Sequence, residues 1–506
     1  MANVSPVSWH AKLNIIMMRI KRFWFAGLLL CSPLYSVNAT PMAYNDVLQR
    51  VVEHYPSLKT AAIQVERATQ NSKKLASQLG WQLQADGGIT RNVSLLGTEV
   101  DVLDASASLA RKLESGGTVG IDSSVKREDS AAVFSPVLPN PATYTSIDLS
   151  YRQPLGQGAG NPEYEEGLVS AQAQILQSQA DSFALYDQVA AQLIELYAGA
   201  ATIHARLDNI SSAIERSKRR QRYIRDRAGL GLSEDKDLLQ VDAQIKSQQA
   251  EYRGLQMQWQ QQQVALNRLM GLPWDTSFEP DYRLVSQAAT EAFESIFARA
   301  QQHNPDLKRI NARIDLADSA IRSRRDARED NLDLVMFVGN RTLQGDTALG
   351  DSDESVVVGG VRLEYAHGFD KSAPDSELYQ AQLDRSAALQ DKRQVLEDLQ
   401  YDISSLLAQI SAGEAALSAY ENSVKSERAK LNEAEQRYRS GRTDTDQLIQ
   451  FETQWSSAEL AFVLQRVELM RRRYSLSLIS GDIWQQIQLP GYTDFLNDAD
   501  AGGVAK

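Results

Sequence analysis

The residues of this chain that could do chemistry are few and scattered. It has one cysteine, Cys31, and five histidines, His10, His54, His204, His303 and His367, far apart and at no metal-ligand spacing. One cysteine excludes an internal disulfide and any cysteine-based zinc or iron–sulfur site. No nucleophile elbow occurs. The run Gly156-Gln157-Gly158-Ala159-Gly160 has the look of a phosphate loop but lacks the Gly-Lys-Ser/Thr that must follow. It leads into a helical stretch with Glu163, Glu165 and Glu166, so it reads as a strand-to-helix turn. No acid–base pair stands out. The chain is therefore read as no enzyme, with no cofactor and no metal. Two basic runs, Lys218-Arg219-Arg220-Gln221-Arg222 and Arg471-Arg472-Arg473, read as solvated helix faces, the first with a partner-contact patch as its alternative.

The balance of 53 Lys plus Arg against 65 Asp plus Glu gives a net charge of -12, which repels a phosphate backbone. No nucleic-acid partner is expected. Mean hydropathy of -0.37 excludes a polytopic helical membrane protein. It leaves open a transmembrane β-barrel, whose strands carry only alternate apolar residues.

Arg19, Lys21 and Arg22 precede the short apolar run Phe23–Leu30, and Val37-Asn38-Ala39 follows with small residues at cleavage spacing. Residues 1–39 read as a secretory signal whose apolar run is too short to span a bilayer, with an N-terminal membrane anchor as the alternative and Met17 or Met18 as an alternative start. Cleavage after Ala39 removes four basic residues and Cys31, which leaves a thiol-free chain of charge -16, suited to an oxidising periplasm. Lipidation of Cys31 would need a small residue before it, where Leu30 stands.

The remainder repeats itself. His54-Tyr55-Pro56-Ser57-Leu58-Lys59 returns as His303-Asn304-Pro305-Asp306-Leu307-Lys308, each opening a helical pattern that runs to about Leu79 or Ala327. Each half closes with a long helix, a glycine-bearing break and another long helix. The breaks are Leu230-Gly231-Leu232 and Ser440-Gly441-Arg442, and 40 residues separate each from a terminal glycine, Gly271 or Gly481. The returning stripes Leu238–Leu269 and Leu448–Ile479 keep alternating steps of three and four, the spacing of coiled-coil packing. Gln248, Gln262, Gln465 and Arg472 dilute these seams, which suits a wide assembly with a wet side better than a two-stranded rod. The chain divides into the signal (1–39), a first repeat (40–287), a second repeat (288–482) and a C-terminal tail (483–506).

Between the helices, segments 82–91, 105–113, 118–125, 143–152, 331–342 and 355–365 alternate apolar and polar residues. A barrel wall needs that dyad pattern, and so does a soluble sheet with one solvated face. Glu114-Ser115-Gly116-Gly117 is a hairpin turn, and the stretch from Leu95 to Asn140 is either a loop or extra strand. Trp81, Tyr144 and Tyr151 could form an interfacial girdle. So few strands cannot close a pore within one chain, and an open edge is not tolerated in lipid. Several copies must then share one barrel. The fold class is mainly α: duplicated coiled-coil hairpins in an α-barrel, plus strands for a shared transmembrane β-barrel.

Taken together, the twofold repeat, Asn304-Pro305-Asp306-Leu307, Gln153-Pro154-Leu155 and the tips Leu230-Gly231-Leu232 and Tyr438-Arg439-Ser440-Gly441 resemble the TolC-type outer-membrane efflux family over roughly residues 43–482. The resemblance implies a homotrimer in outer-membrane lipid, four strands per copy, and helices that extend through the periplasm. It implies a passive export channel coupled to an inner-membrane transporter through a periplasmic adaptor, with Leu230, Gly231, Leu232, Ser440, Gly441 and Arg442 as adaptor-contact tips. The periplasmic aperture would involve Tyr438. The family's two aperture aspartates fall on Gln447 and Gln450, and Asp444 and Asp446, one turn nearer the tip, are the candidates to replace them as a charged ring, with Asp235 and Asp237 at the matching sites of the first half. Their alternative is to serve the helix dipole. Ala366-His367-Gly368-Phe369 departs from an expected proline turn. The competing reading of the whole is a periplasmic coiled-coil scaffold without a pore.

Overall fold

The computed structural model describes residues 41–93, 97–131, 136–229, 235–281, 291–492 and 496. The signal segment 1–39 and the first tip, Leu230, Gly231 and Leu232, lie outside these residues.

The chain begins with β1 (Pro41–Met42), α1 (Tyr44–His54) and α2 (Pro56–Ala76), then a single 3-10 turn. Strands β2 (Gln82–Val93), β3 (Glu99–Lys112), β4 (Thr118–Ser130) and β5 (Ala142–Pro154) follow. Helices α3 (Pro162–Ala228) and α4 (Asp235–Met270) form the first hairpin, and β6 (Glu279–Pro280) pairs in parallel with β1. The second repeat has α5 (Phe293–His303), α6 (Pro305–Asp326), β7 (Asn331–Thr347), β8 (Gly350–Ala366), α7 (Ser372–Arg439) and α8 (Thr445–Ile479), before a short α9 (Asp482–Gln486).

Proline explains the break between the paired short helices of each repeat. Pro56 and Pro305 have no N–H to continue α1 or α5, and each starts the next helix at its first turn. Glycine ends the long helices. Gly271 (φ 66°) and Gly481 (φ 76°) take the left-handed conformation that stops α4 and α8. Each then lies against the histidine of its own repeat: an added Cβ would stand 3.1 Å from His54 Cβ at Gly271 and 2.8 Å from His303 Cβ at Gly481. The duplication seen in the sequence is thus a duplication of contacts.

α3 has 67 residues and α7 has 68, each roughly 100 Å long at 1.5 Å per residue. Their stripes are buried as the spacing requires: Val241, Ile245, Leu255 and Leu266 on α4, Leu399, Ile403, Leu431 and Ala434 on α7. Two of the polar seam positions bond across to the facing helix. Gln262 Nε2 donates to the Leu196 carbonyl at 2.7 Å, and Gln465 Nε2 to the Gly413 carbonyl at 3.2 Å. α3 packs against α2, α4, α6 and α8, and α7 against α5, α6 and α8, so the helices form a wall whose two margins are α2 with α4 and α7.

The main core lies midway along the wall. Tyr44, Leu48, Leu193, Tyr197, Leu266, Met270, Trp484 and Tyr492 are all buried there, and bring the start and end of the described chain together on α3. His303 joins them: Nε2 lies 3.0 Å from Asp187 Oδ2, Nδ1 lies 3.1 Å from the Tyr492 hydroxyl, and Trp484 Nε1 donates to Asp187 at 2.7 Å.

At one end of the wall stands a six-stranded antiparallel sheet of order β2-β3-β4-β5-β7-β8. This corrects the four strands that the family resemblance implies. The stretch from Leu95 to Asn140 supplies the difference, with β3 and β4 as full members of the sheet.

Candidate functional site

The sheet has two chemically different faces. Register places Leu83, Leu109, Ile121, Leu149 and Val338 in one cross-strand row on the same face, with Ile89, Leu103, Val125, Ile147, Val357, Val361 and Leu363 above and below it. Leu109 is half-buried and the others are exposed; Leu83 is 72% and Val361 72% accessible. The opposite face carries Gln84, Ser108, Asp122 and Asp148 in one row and Asp86, Ser106, Ser124, Ser146 and Arg341 in the next. Ser106 Oγ donates to Asp86 at 2.7 Å, and Ser108 Oγ to Asp122 at 2.6 Å. An apolar belt exposed on one side and a hydrogen-bonded polar surface on the other suit lipid outside and water inside. Tyr151 and Tyr365 stand at the helical end of the apolar face, while Tyr144 lies on the polar face and is no part of a girdle.

The handover from β8 to α7 is organised by Asp330. It accepts from the Tyr365 hydroxyl at 2.9 Å and Lys371 Nζ at 3.0 Å, and His367 Nδ1 lies 2.8 Å away. These hydrogen bonds, that of Lys371 first, hold its carboxyl down to about 2. The missing proline turn is replaced by this polar knot.

At the far end of the wall the second tip is built by its glycine. Gly441 (φ 73°) closes α7: the Arg442 N–H donates to the Arg437 carbonyl at 2.9 Å and the Gly441 N–H to the Tyr438 carbonyl at 3.0 Å. This is the Schellman pattern. Ser440 Oγ donates to the Arg437 carbonyl at 2.9 Å. Space is no constraint, since an added Cβ at Gly441 would meet nothing within 4 Å. Asp444 caps α8, accepting from the Gln447 N–H at 2.8 Å, so it serves the helix end. Asp446 accepts from Gln240 of α4, which joins the two hairpins. Gln447 and Gln450 are exposed on α8. Tyr438 is buried, its hydroxyl 3.1 Å from Thr445 Oγ1 and its ring 5.7 Å from that of Tyr223 on α3.

Further residues tie the hairpins together just above the tip. Arg220 on α3 is 5% exposed and forms an ion pair with Glu452 on α8. Burial pulls its guanidinium down to about 10, so it keeps its charge at neutral pH. Trp455 lies between Arg216 and Arg428, whose guanidinium carbons stand 4.7 and 4.5 Å from the ring centroid. The first basic run is therefore split: Arg219 and Arg222 are exposed, but Arg220 is a buried cross-hairpin contact. The second run is no free surface either. Arg471 pairs with Glu195 of α3 at 2.7 Å, Arg472 with Glu468 at 2.7 Å, and Arg473 with Glu414 of α7 at 2.6 Å.

Residues 296–482 match the outer membrane efflux protein family. That match covers the second repeat, and the first repeat shares its helix, strand and hairpin plan. The second repeat is thus similar to the outer membrane efflux protein family. Solved structures with the same fold include the outer-membrane channel OprN, 16% identical with a TM-score of 0.62 over 87% of this chain and 90% of that one. VceC of Vibrio cholerae is 17% identical, with a TM-score of 0.59 over 87% and 96%. The open state of the Neisseria gonorrhoeae MtrE channel is 15% identical, with a TM-score of 0.60 over 88% and 90%. No curated protein matches the sequence. The family matched by the second repeat is one of outer membrane efflux proteins, and solved structures with this fold include outer-membrane channels.

Proposed function

We propose that three copies of this chain form a passive export conduit, with the sheets in the outer membrane and the hairpins in the periplasm. The observation that carries this reading is the coincidence of open edges. One margin of the chain runs from α2 into β2, and the other from β8 into α7; β2 and β8 each have one strand neighbour in the sheet. The helical margins expose large apolar groups, Ile63 on α2, Leu239 and Met257 on α4, Tyr379, Leu383 and Tyr401 on α7. Exposed apolar surface at both margins favours burial against further copies. A poreless scaffold would have no use for the apolar belt of the sheet.

In this reading residues 1–39 direct export and are removed. Gly441 and Ser440-Gly441-Arg442, with Leu230-Gly231-Leu232, meet a periplasmic adaptor that couples the conduit to an inner-membrane transporter. Tyr438, Asp444, Asp446, Gln447 and Gln450 surround the periplasmic aperture, and the Arg220–Glu452 and Trp455 contacts hold the hairpins in register there. The test is to purify the complex from outer membranes, weigh it by native mass spectrometry and reconstitute it in planar bilayers. Three copies with stepwise conductance are expected. A single copy, or three copies that never conduct, would overturn the proposal.

A further inference from the structure

The two repeats are not equally long. His54 maps to His303 at an offset of 249 residues, but Gly271 maps to Gly481 at 210, so the first repeat holds 39 residues more. The difference arises between the strands. β2 aligns with β7 at the larger offset, and α3 with α7 at the smaller. The extra residues are those of the β3–β4 hairpin.

This hairpin is not an appendage. β3 pairs with β2 along Gln82–Val93, and β4 with β5 from Thr118↔Arg152 to Glu128↔Ala142. It continues both faces: Leu103, Leu109, Ile121 and Val125 extend the apolar belt, and Ser106, Ser108, Asp122 and Ser124 extend the polar surface. Its turn is seated at the helical end. The Gly160 N–H and Gln153 Nε2 both donate to the Ser115 carbonyl at 3.1 Å. Gly116 comes so near Gly158 that it admits no Cβ. The glycine run 156–160, which binds no phosphate by its sequence, is the seat of this turn.

We propose that the hairpin adds two wall strands to every copy, so that three copies close an eighteen-stranded barrel. Six antiparallel strands leave β2 and β8 running in opposite directions, so β8 of one copy continues the antiparallel order against β2 of the next. Closure removes every edge, as lipid requires. At about 4.8 Å between strands and a tilt of about 40°, eighteen strands enclose a backbone cylinder about 36 Å across, against about 24 Å for twelve. The outer-membrane segment is then a wide, wet bore, and the size limit on cargo lies at the periplasmic aperture. This rests on the trimeric reading above.

A cysteine scan tests it with nearly isosteric changes. Ala105→Cys, Ser106→Cys, Ala107→Cys, Ser108→Cys, Ser123→Cys and Ser124→Cys are made singly in a Cys31→Ser background. Outer-membrane vesicles are treated with a negatively charged, membrane-impermeant maleimide, and copy number is read by native mass spectrometry. Cysteines at 106, 108 and 124 should react about tenfold faster than those at 105, 107 and 123, since the thiolate forms only in contact with water. Equal rates at all six, with three copies intact, would overturn the eighteen-stranded wall alone. Alternation without three copies would instead overturn the trimeric reading, and the barrel count with it.

Discussion

Single side chains decide how the ends of the wall are fastened, and two of them can be tested directly. Asp330 is held at about 2 by Lys371, Tyr365 and His367, below the roughly 3.9 of an unfolded aspartate. Its contribution to stability is therefore complete above about pH 4 and is lost as pH falls toward 2. Asp330→Asn should remove that part of the acid dependence, so that parent and variant melting temperatures converge between pH 4 and 2 and differ most near neutrality. A constant difference across the range would contradict this. Arg220→Met should destabilise by about 3 kcal/mol by leaving the half-buried Glu452 without its cation, and adding Glu452→Leu should recover most of the loss. Chemical denaturation of the two variants measures both effects. Tyr438→Phe removes only the Thr445 bond, worth about 1 kcal/mol, and should raise the conductance of the resting channel. Unaltered conductance would remove Tyr438 from the aperture. Arg220 was open to discovery in the sequence. Ile210, Ile214, Ser217, Arg220 and Ile224 follow one helical stripe, so the basic run hides an in-phase buried residue. Asp330 offered no such signal, since its partners arrive from residues 365–371 through strand pairing.

At the scale of elements, glycine conformation fixes where helices stop, and the surroundings set its cost. Gly441 and Gly481 share a left-handed φ of 73° and 76°. Gly441→Ala meets open space and should cost about 1–2 kcal/mol, the strain of the backbone alone. Gly481→Ala also drives a Cβ into His303 and the Tyr492 hydroxyl, and should cost more than about 3 kcal/mol. Thermal melts of the two variants rank them; equal losses would refute the packing argument. A bulkier Gly441→Val should weaken adaptor coupling in an export assay while copy number stays at three, and full export would count against the tip assignment. The elements themselves were largely legible: the proline-broken helix pairs, the hairpins and all six strand segments follow from periodicity. Strand ends were not, because Asp101, Arg127 and Asp129 take positions on the apolar face while remaining paired in the sheet. Nor was strand order, which depends on β5 meeting β7 across the two repeats.

For the molecule as a whole, one chain leaves its work unfinished. Both margins of the helical wall and both edges of the sheet lie on the same two sides, and lipid tolerates no open edge. In the proposed trimer, neighbouring copies complete all of them at once, β8 against β2 and α7 against the α2–α4 margin. The sequence carried the need for this closure in its dyad strands, but not the proposed width, which rests on the hairpin unique to the first repeat. The most direct measurement is a cryo-microscopy map of the complex extracted from outer membranes. The account predicts three copies around one continuous water-filled bore, with six strands from each in the barrel. A lone chain, or a filled bundle whose sheets lie outside the detergent belt, would contradict it.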